Sequence, residues 1–321
     1  SKMMVSLTNA VNSSGFDIVF GSDSACTATL YKFEIERYIA TTGESIFWVK
    51  IPTVATATNT IVYICYGNAA ISTFQGDING TWNSAYKRVY HFPNGTTLSY
   101  ADSTVNAANG TAVNTPTPVA AQIGGGFKND TAVSSGDNYV TASDTGLPSG
   151  TGSRKASIWA FQNTIAIWPQ AYYWEWGTGA NEQLFGLYPQ TALLVLLVGF
   201  NDDISYVSSL SQNTWYYWVG TYNSADNVGR LYLNGTQVAS ATKASWNTVL
   251  NGTLYIGASN HAFQTAVCAT CTFDEYRISN VVRSADWIAT EYNNQSAPQT
   301  FYTIGAEVPL GAKMLLLMGV G

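Results

Sequence analysis

Charged side chains are scarce in this chain. Asp, Glu, Lys and Arg make up 11% of its 321 residues, well below the roughly 25% of an average globular domain. The 14 basic residues are outnumbered by 20 acidic ones, which gives a net charge of -6 and a pI near 4.8. Without a basic stripe to neutralise phosphates, the sequence excludes nucleic acid as a partner.

Histidine and long apolar runs are also scarce. His91 and His261 are the only two histidines, and no GxSxG pattern occurs, so little is available to build a catalytic triad. The longest internal apolar run, residues 192–200, is too short to cross a bilayer and is typical of a strand buried on both faces. We therefore expect no membrane span, and we expect the apolar tail at 314–321 to pack on a neighbour or another chain.

The first residues, SKMMVSLTNA, lack the charged and then apolar regions of a signal peptide. We interpret the sequence as a chain that has already been cut, or as a piece of something longer.

The chain has four cysteines. A CxxC pair at Cys268 and Cys271 has no second CxxC to complete a zinc site, so a short-loop disulfide is favoured over structural zinc. A bridge between Cys26 and Cys65 is a second candidate, which an oxidising compartment would allow. The connectivity stays open at this stage.

Aromatic residues are abundant, at 13% of the chain, and they dominate residues 214–241. There, Trp215, Tyr217 and Val219 alternate with Tyr216, Trp218 and Tyr222, which is the two-residue period of a strand. Asn-Gly at 234–235 favours a tight turn, so two successive hairpins are predicted. Such a meander is stable only within a larger sheet packed on another, which predicts a β-sandwich.

Short β-rich runs bounded by turn residues fill the rest of the chain, which predicts an all-β fold. The one convincing helix spans 284–294. Ser284 would cap it, Asp286 would lie in its first turn, and Trp287, Ile288 and Tyr292 would share a face.

Two groups of segments resemble known families. The runs DIVF, EIERY, FWVKIPTV and IVYICYGNAA resemble a β-rich domain of unknown function often found ahead of LamG-type jelly rolls. From VYHFPNG to FYTIGAEV, the ordered segments resemble the LamG or concanavalin A-like jelly roll itself. The pair occurs in bacterial and archaeal surface proteins and in phage fibre or decoration proteins.

The resemblance implies four parts. They are a small β-domain at 1–75, truncated or processed at its N-terminus, a connector at 76–87, a jelly-roll sandwich at 88–308 and the apolar tail at 309–321. Family members usually begin with one more strand, so we expect an open sheet edge in the first domain that needs a partner.

The resemblance also implies a calcium site at the sandwich rim, where Asp side chains and carbonyl oxygens hold the ion in relatives. Asp137, Asn138 and Asp274 are the candidate ligands. The alternative is that these side chains bond loop amides as turn formers.

Concanavalin A-like folds host both glucanases and lectins. A retaining glucanase needs two close carboxylates, commonly from an ExDxxE strand, and that pattern is absent. Glu34 and Glu36 alternate correctly but lie in the first domain, while Glu175 and Glu182 stand alone. We therefore predict a protein that is not an enzyme.

Sugar binding would use an exposed aromatic ring as a stacking plane. The dense run IWPQAYYWEWG supplies the candidates, with core packing as the equal alternative for each. They are Trp168, Tyr172, Tyr173, Trp174 and Trp176.

Together these features predict a non-catalytic recognition or adhesion protein that is extracellular, on a cell surface or on a virion surface, with a glycan as its partner. The alternative is a structural subunit of a fibre, filament or phage particle, with other copies or neighbouring subunits as partners through β-edges. A glycoside hydrolase is the least favoured.

Overall fold

The computed structural model describes most of the chain. The described residues are 2–55, 58–93, 98–129, 138–162, 172–191, 194–259, 266–267, 271–307 and 318–320. Among them, no helix is long and apolar enough to span a membrane.

The protein is built mainly of antiparallel strands, as predicted. In chain order the elements are β1 (Lys2–Ser6), β2 (Val19–Gly21), β3 (Phe33–Ile39), β4 (Glu44–Val49), β5 (Tyr63–Cys65), α1 (Ile78–Thr81), β6 (Tyr86–Tyr90), β7 (Thr111–Val113), β8 (Thr117–Ala120), β9 (Gly125–Lys128), β10 (Tyr139–Ser143), β11 (Arg154–Gln162), β12 (Trp174–Gly177), β13 (Leu184–Thr191), β14 (Leu194–Val198), β15 (Ile204–Val207), β16 (Thr214–Asn223), β17 (Val228–Leu233), β18 (Thr236–Thr242), β19 (Thr253–Ile256), β20 (Ala258–Ser259), β21 (Ala266–Val267), β22 (Cys271–Ser279), α2 (Ala285–Ser296), α3 (Pro298–Phe301), β23 (Tyr302–Ile304) and β24 (Met318–Val320).

The chain forms two compact units. Unit 1 comprises residues 1–83 and 293–321, and unit 2 comprises residues 84–292. Residues 293–308, which the sequence assigned to the jelly roll, thus group with the N-terminal residues.

Unit 1 contains a three-stranded sheet of order β1-β4-β3 and the strand pairs β2-β5 and β23-β24. Its core includes the mutually packed rings of Phe20, Phe33 and Phe47, with centroids 4.9 to 6.2 Å apart. Cys26 and Cys65 form a disulfide with their Cα atoms 6.3 Å apart. The bridge joins β5 to the loop that follows β2.

The outer edge of β1 is capped by side chains of unit 1. The Lys2 N–H donates to Asn294 Oδ1 at 2.7 Å, and Asn294 Nδ2 donates to the Lys2 carbonyl at 3.0 Å. The Tyr302 hydroxyl accepts from the Met4 N–H at 2.6 Å and lies 3.1 Å from the Met4 carbonyl. At these two residues the expected open edge is wrong, because side chains replace the missing neighbour strand.

Unit 2 is a two-sheet sandwich. One sheet has seven strands in the order β15-β14-β13-β12-β19-β10-β7, and the other has the order β18-β17-β16-β11-β22-β9-β8 with β6 also paired to β22. The aromatic hairpins are confirmed, since β16, β17 and β18 pair in succession and Asn234 and Gly235 both have positive φ angles in the turn.

The two sheets enclose one apolar core. Val140, Trp174 and Leu254 of the seven-stranded sheet belong to the same buried cluster as Ile158 and Trp218 of the other sheet. Gly220 of β16 lies where the sheets are close together, because a Cβ there would be 2.5 Å from the Leu197 side chain and 3.3 Å from Trp174. Interdigitated rings of this size fix the spacing of the sheets.

One strand, β14, and one helix, α2, differ from the sequence predictions in which of their side chains are buried. Within the apolar run at 192–200, residues 194–198 form β14, but Leu194 and Leu196 are only half-buried while Val195 and Leu197 are fully buried. Ser284 caps α2 as predicted, accepting from the Trp287 N–H at 3.2 Å. Trp287 itself is 48% exposed.

The predicted common face of Trp287, Ile288 and Tyr292 is wrong for Trp287. Ile288 is fully buried, and the Tyr292 ring stacks on Trp159 with centroids 5.7 Å apart. Consecutive helical residues differ by about 100° around the axis, so Trp287 points away from the face on which Ile288 and Tyr292 lie.

The edge cap of β1 leads to a stability prediction. We expect Asn294→Ala to lower the free energy of unfolding by about 1–3 kcal/mol, because the buried N–H and C=O groups of Lys2 would lose their partner. The matched control is Asn293→Ala in the same helix, an exposed residue for which we expect a change within about 0.5 kcal/mol. Urea unfolding of both variants checks this, and equal losses would contradict the capping role.

Candidate functional site

The predicted sugar-stacking residues lie in the protein interior. Tyr172, Tyr173, Trp174 and Trp176 are at most 5% exposed, and Trp168 lies outside the described residues. Tyr173, Trp174 and Trp176 belong to the core between the sheets. A ring packed on both sides has no free plane for a sugar, so for these four side chains the structure gives the core-packing alternative.

The fourth ring, Tyr172, packs on the other side of the seven-stranded sheet. It stacks on Tyr188 with ring centroids 4.9 Å apart and an interplanar angle of 6°. Burial raises the pKa of the Tyr172 hydroxyl, and the nearby carboxyl of Glu175 raises it further. Tyr172 therefore marks a second, smaller packed layer on the outer face of this sheet.

The candidate calcium ligands bond to backbone amides where they are described. Asp274 is fully buried, and its Oδ2 accepts from the Ile123 N–H at 2.7 Å. Asn138 Oδ1 accepts from the Thr115 N–H at 3.1 Å. Asp137 lies outside the described residues.

These contacts fit the turn-forming alternative better than a calcium site. Calcium takes six to eight oxygen ligands at once, and here one oxygen of each described candidate already serves a backbone N–H. We therefore assign calcium no role in the candidate site, and calcium binding stays a prediction.

For the cysteines, too, part of the prediction falls on residues that the structure does not describe. Cys271 is disulfide-bonded, while Cys268 lies outside the described residues. The predicted Cys26–Cys65 pairing is present.

The outer face of the seven-stranded sheet carries polar and aromatic side chains at alternate positions. In β10, Val140 and Ala142 enter the core, whereas Tyr139 and Thr141 are half-buried and Ser143 is exposed. In β19, Leu254 and Ile256 enter the core and leave Thr253 and Tyr255 half-buried. The two-residue period of a strand therefore puts these hydroxyl-bearing side chains together on the face opposite the core.

Strand register aligns these side chains in a row. Thr111 pairs with Thr141, Thr141 with Tyr255, and Tyr255 with Glu175. Directly paired residues lie on the same face with Cβ atoms about 5 Å apart. We call Tyr139, Tyr255, Thr141, Thr111 and Glu175 the tyrosine face.

Two rings form the centre of the tyrosine face. Tyr139 and Tyr255 are diagonal neighbours with ring centroids 6.2 Å apart and planes tilted by 36°. Both remain partly accessible to solvent, unlike the tyrosines of the adjoining layer around Tyr172. A pair of tilted, half-exposed rings flanked by threonine hydroxyls offers both apolar planes and hydrogen-bonding groups.

Glu175 lies at the inner end of the tyrosine face. It faces away from the core cluster but is 0% exposed. Gly186 of β13 pairs with Glu175 of β12. A Cβ at Gly186 would be 3.2 Å from the Glu175 Cβ and 3.3 Å from the Tyr172 ring. A glycine at this position leaves room for the carboxylate and the tyrosine to lie side by side.

The sequence pattern could have identified this face. Residues 139–143 and 253–256 alternate hydroxyl-bearing with apolar side chains in the same manner as residues 214–241, where the period was recognised. The density of aromatic residues favours 168–176 as the sugar platform instead, but this density does not separate a core face from a solvent face.

The other acidic residues named from the sequence have internal partners. In unit 1, Glu34 and Glu36 accept from the indole N–H groups of Trp82 and Trp48. In unit 2, Glu275 pairs with Arg277 and with His91, whose Nδ1 lies 2.6 Å from Glu275 Oε1. Of the residues in the seven strands that carry the tyrosine face, only Glu175 is acidic.

Glu275 belongs to a buried ionic network on the eight-stranded sheet. Arg277 NH1 also lies 3.3 Å from Glu291, which pairs with Lys155. Burial alone would raise the pKa of Glu275, but the attraction of His91 and Arg277 outweighs it and brings the pKa down to about 2. The carboxylate is thus held ionised in the interior.

A β-bulge positions this carboxylate. Ser157 pairs with Arg277 and Trp159 with Asp274, so that Glu275 and Tyr276 together face one residue of β11. Glu275 has φ +52°. The extra residue lets Phe273 and Tyr276 both enter the core while Glu275 points to the ionic network.

The network predicts a stability change with pH. A carboxylate whose folded pKa is depressed contributes stability above its unfolded pKa, near 4.5, and loses it as pH falls towards about 2. We expect Glu275→Gln to cost about 3 kcal/mol at pH 7, because Arg277 and His91 lose a buried partner. The difference from wild type should shrink between pH 4.5 and pH 2.

Thermal unfolding across this pH range measures the effect. Glu44→Gln is the control, because Glu44 pairs with Arg37 on the surface with its side chain 46% exposed, where a pair contributes at most about 1 kcal/mol. A difference between wild type and the Glu275 variant that stays constant with pH would rule out the ionised network.

Two family models match the chain. Residues 134–289 match the concanavalin A-like lectin/glucanases superfamily, and residues 14–94 match a domain of unknown function, DUF2341. A match to DUF2341 is thus followed along the chain by a match to the concanavalin A-like lectin/glucanases superfamily, which confirms the resemblance found in the sequence. No curated protein matches the sequence.

Several solved structures share the fold. The binding domain of botulinum neurotoxin DC in complex with SialylT has a TM-score of 0.52 at 12% identity, over 67% of this chain and 52% of that one. Botulinum neurotoxin type C, whose cell entry depends on interaction with two ganglioside molecules, has a TM-score of 0.51 at 12% identity, over 72% and 54%. The binding domain of Paraclostridial Mosquitocidal Protein 1 has a TM-score of 0.51 at 12% identity, over 65% and 52%.

At these identities the likeness shows the fold alone. The matched region spans about half the length of each of these chains.

Proposed function

We propose that the protein is a non-catalytic carbohydrate-binding protein and that its glycan lies on the tyrosine face. The observation that carries the proposal is the half-exposed pair Tyr139 and Tyr255, set among threonine hydroxyls on the outer side of a lectin-like sheet.

The chemistry of this pair suits a sugar. The apolar C–H face of a pyranose packs on an aromatic ring, and its hydroxyls exchange hydrogen bonds with neighbouring hydroxyl and amide groups. Thr141 and Thr111 supply such groups beside the rings, paired in register across β10 and β7. A sheet-borne platform is also rigid, so little ordering entropy is lost when a ligand binds.

The acid content of the sheet that carries the tyrosine face supports binding without hydrolysis at that face. Glycosidases of either stereochemistry need two carboxyl groups within about 5 to 10 Å. Of the acids named from the sequence, Glu34, Glu36, Asp274 and Glu275 have internal partners. Glu175 has no second acid on the strands of its sheet.

We place this activity outside the cell or on a virion surface. The Cys26–Cys65 disulfide supports the placement, because such bridges persist in oxidising compartments. A surface of hydroxyls and amides with few charges supports it as well.

Removal of one ring of the tyrosine face tests the proposal. We expect Tyr255→Ala to raise the dissociation constant of the bound glycan about tenfold or more, because the stacking plane is lost. Trp215→Ala is the matched control, since Trp215 is also half-buried and forms a ring pair, with Phe161 at 5.3 Å, on the other sheet. A glycan array identifies the ligand, and calorimetry on both variants measures the affinities.

An equal loss in both variants would remove the tyrosine face from the proposal. The array is run with calcium and with chelator, and its sample is sized by light scattering. Binding that chelator abolishes would restore calcium to the account. A self-associating chain that binds no glycan would favour the structural subunit of a fibre or particle.

A further inference from the structure

The seven-stranded sheet carries no cation. Its strands β7, β10, β12, β13, β14, β15 and β19 contain no Lys, Arg or His, and their single acidic residue is Glu175. The parts of residues 84–292 that lie outside the described ranges contain no Lys or Arg either. The strands that carry the tyrosine face thus have no positive side chains.

The cations of unit 2 lie on other elements and bind within the protein. Arg88 and Arg154 both touch this sheet from inside the protein. Arg88 donates to the carbonyls of Ser143 and Thr145 at 2.8 Å and is 1% exposed, and the Arg154 guanidinium lies over the Phe185 ring of β13, 5.5 Å from its centroid. Arg154 donates to the Gly150 carbonyl at 2.7 Å and is fully buried.

Other cations of unit 2 form ion pairs with acidic side chains of the protein. Lys155 and Arg277 bind the acids of the buried network. Lys243 pairs with Asp202 at 2.6 Å, away from the strands of the tyrosine face. Residues 84–292 hold nine Lys and Arg against thirteen Asp and Glu, a net charge of -4.

The lack of Lys, Arg and His in these seven strands favours uncharged sugars over negatively charged ones. A sialic acid, uronic acid or sulfate group would lose water on binding to a surface of hydroxyls and aromatic rings, whose strands carry no cation to pair with it. An anion that is desolvated without a partner binds unfavourably. Hydroxyl groups meet no such penalty, because threonine and tyrosine hydroxyls both donate and accept.

We propose that the ligand class of the tyrosine face is neutral glycans and that acidic glycans are rejected. The proposal rests on the proposed function, and it distinguishes this chain from the binding domain of botulinum neurotoxin DC, whose structure is a complex with SialylT.

The test is a set of matched glycan pairs, each a neutral galactose-terminated oligosaccharide and the same oligosaccharide with a terminal sialic acid or sulfate. We expect the wild-type chain to bind the neutral member about tenfold tighter than the acidic member. The acidic member carries the same sign of charge as residues 84–292 and finds no cation on the strands of the tyrosine face. Its affinity for the neutral member should be unchanged between low and high salt.

A variant that gains affinity for the acidic member tests whether the tyrosine face sets the selectivity. Thr141→Lys adds a cation between Tyr255 and Thr111 in the paired row and is expected to improve binding of the acidic member relative to the neutral one several-fold. Ser205→Lys is the matched control. It adds the same charge to an exposed position on β15, four strands and roughly 19 Å from β19.

The outcomes separate the two proposals. A wild-type chain that binds neither member of any pair overturns the proposed function itself. A chain that binds the acidic member as tightly as the neutral one, or more tightly, overturns only the neutral-glycan proposal. Equal shifts in both lysine variants overturn its placement on the tyrosine face.

Discussion

The division of each strand into a core side and an outer side is the constraint on which the rest of the structure depends. Trp174, Trp176 and Leu254 must face the opposite sheet, because the spacing of the sandwich is set by rings that interlock at positions such as Gly220. Once that is fixed, the two-residue period leaves Glu175 and Tyr255 on the other face, directly paired. The candidate site is therefore a consequence of how the core packs.

Much of the fold follows from the sequence by this same reasoning. Residues 214–241 alternate clearly and contain Asn234 and Gly235, so both hairpins were predictable from local chemistry. The cap at Ser284 was equally local. Residues 139–143 and 253–256 show the same alternation. Their meaning depends on register across β10 and β19, a contact between segments more than a hundred residues apart that no local pattern contains.

The misplaced expectations share a physical origin. The aromatic run at 172–176 fits a sugar platform and a core equally well by sequence, and the structure gives the core, to which aromatic side chains contribute the largest buried area. The open edge of β1 was inferred from a missing strand, whereas Asn294 and Tyr302 supply the hydrogen bonds of that strand from residues far along the chain. The bulge at Glu275 likewise depends on β11. Each outcome was decided by long-range packing.

The central claim is that a glycan lies on the tyrosine face. Hydroxyl-radical footprinting of the chain, with and without a saturating neutral oligosaccharide, tests it most directly, because oxidation reports the solvent access of individual aromatic rings. The account predicts that protection centres on Tyr139 and Tyr255, with Trp215 and the exposed Trp287 unchanged. Protection of Trp215 or Trp287 with the two tyrosines still oxidised would contradict it and place the ligand on a different surface.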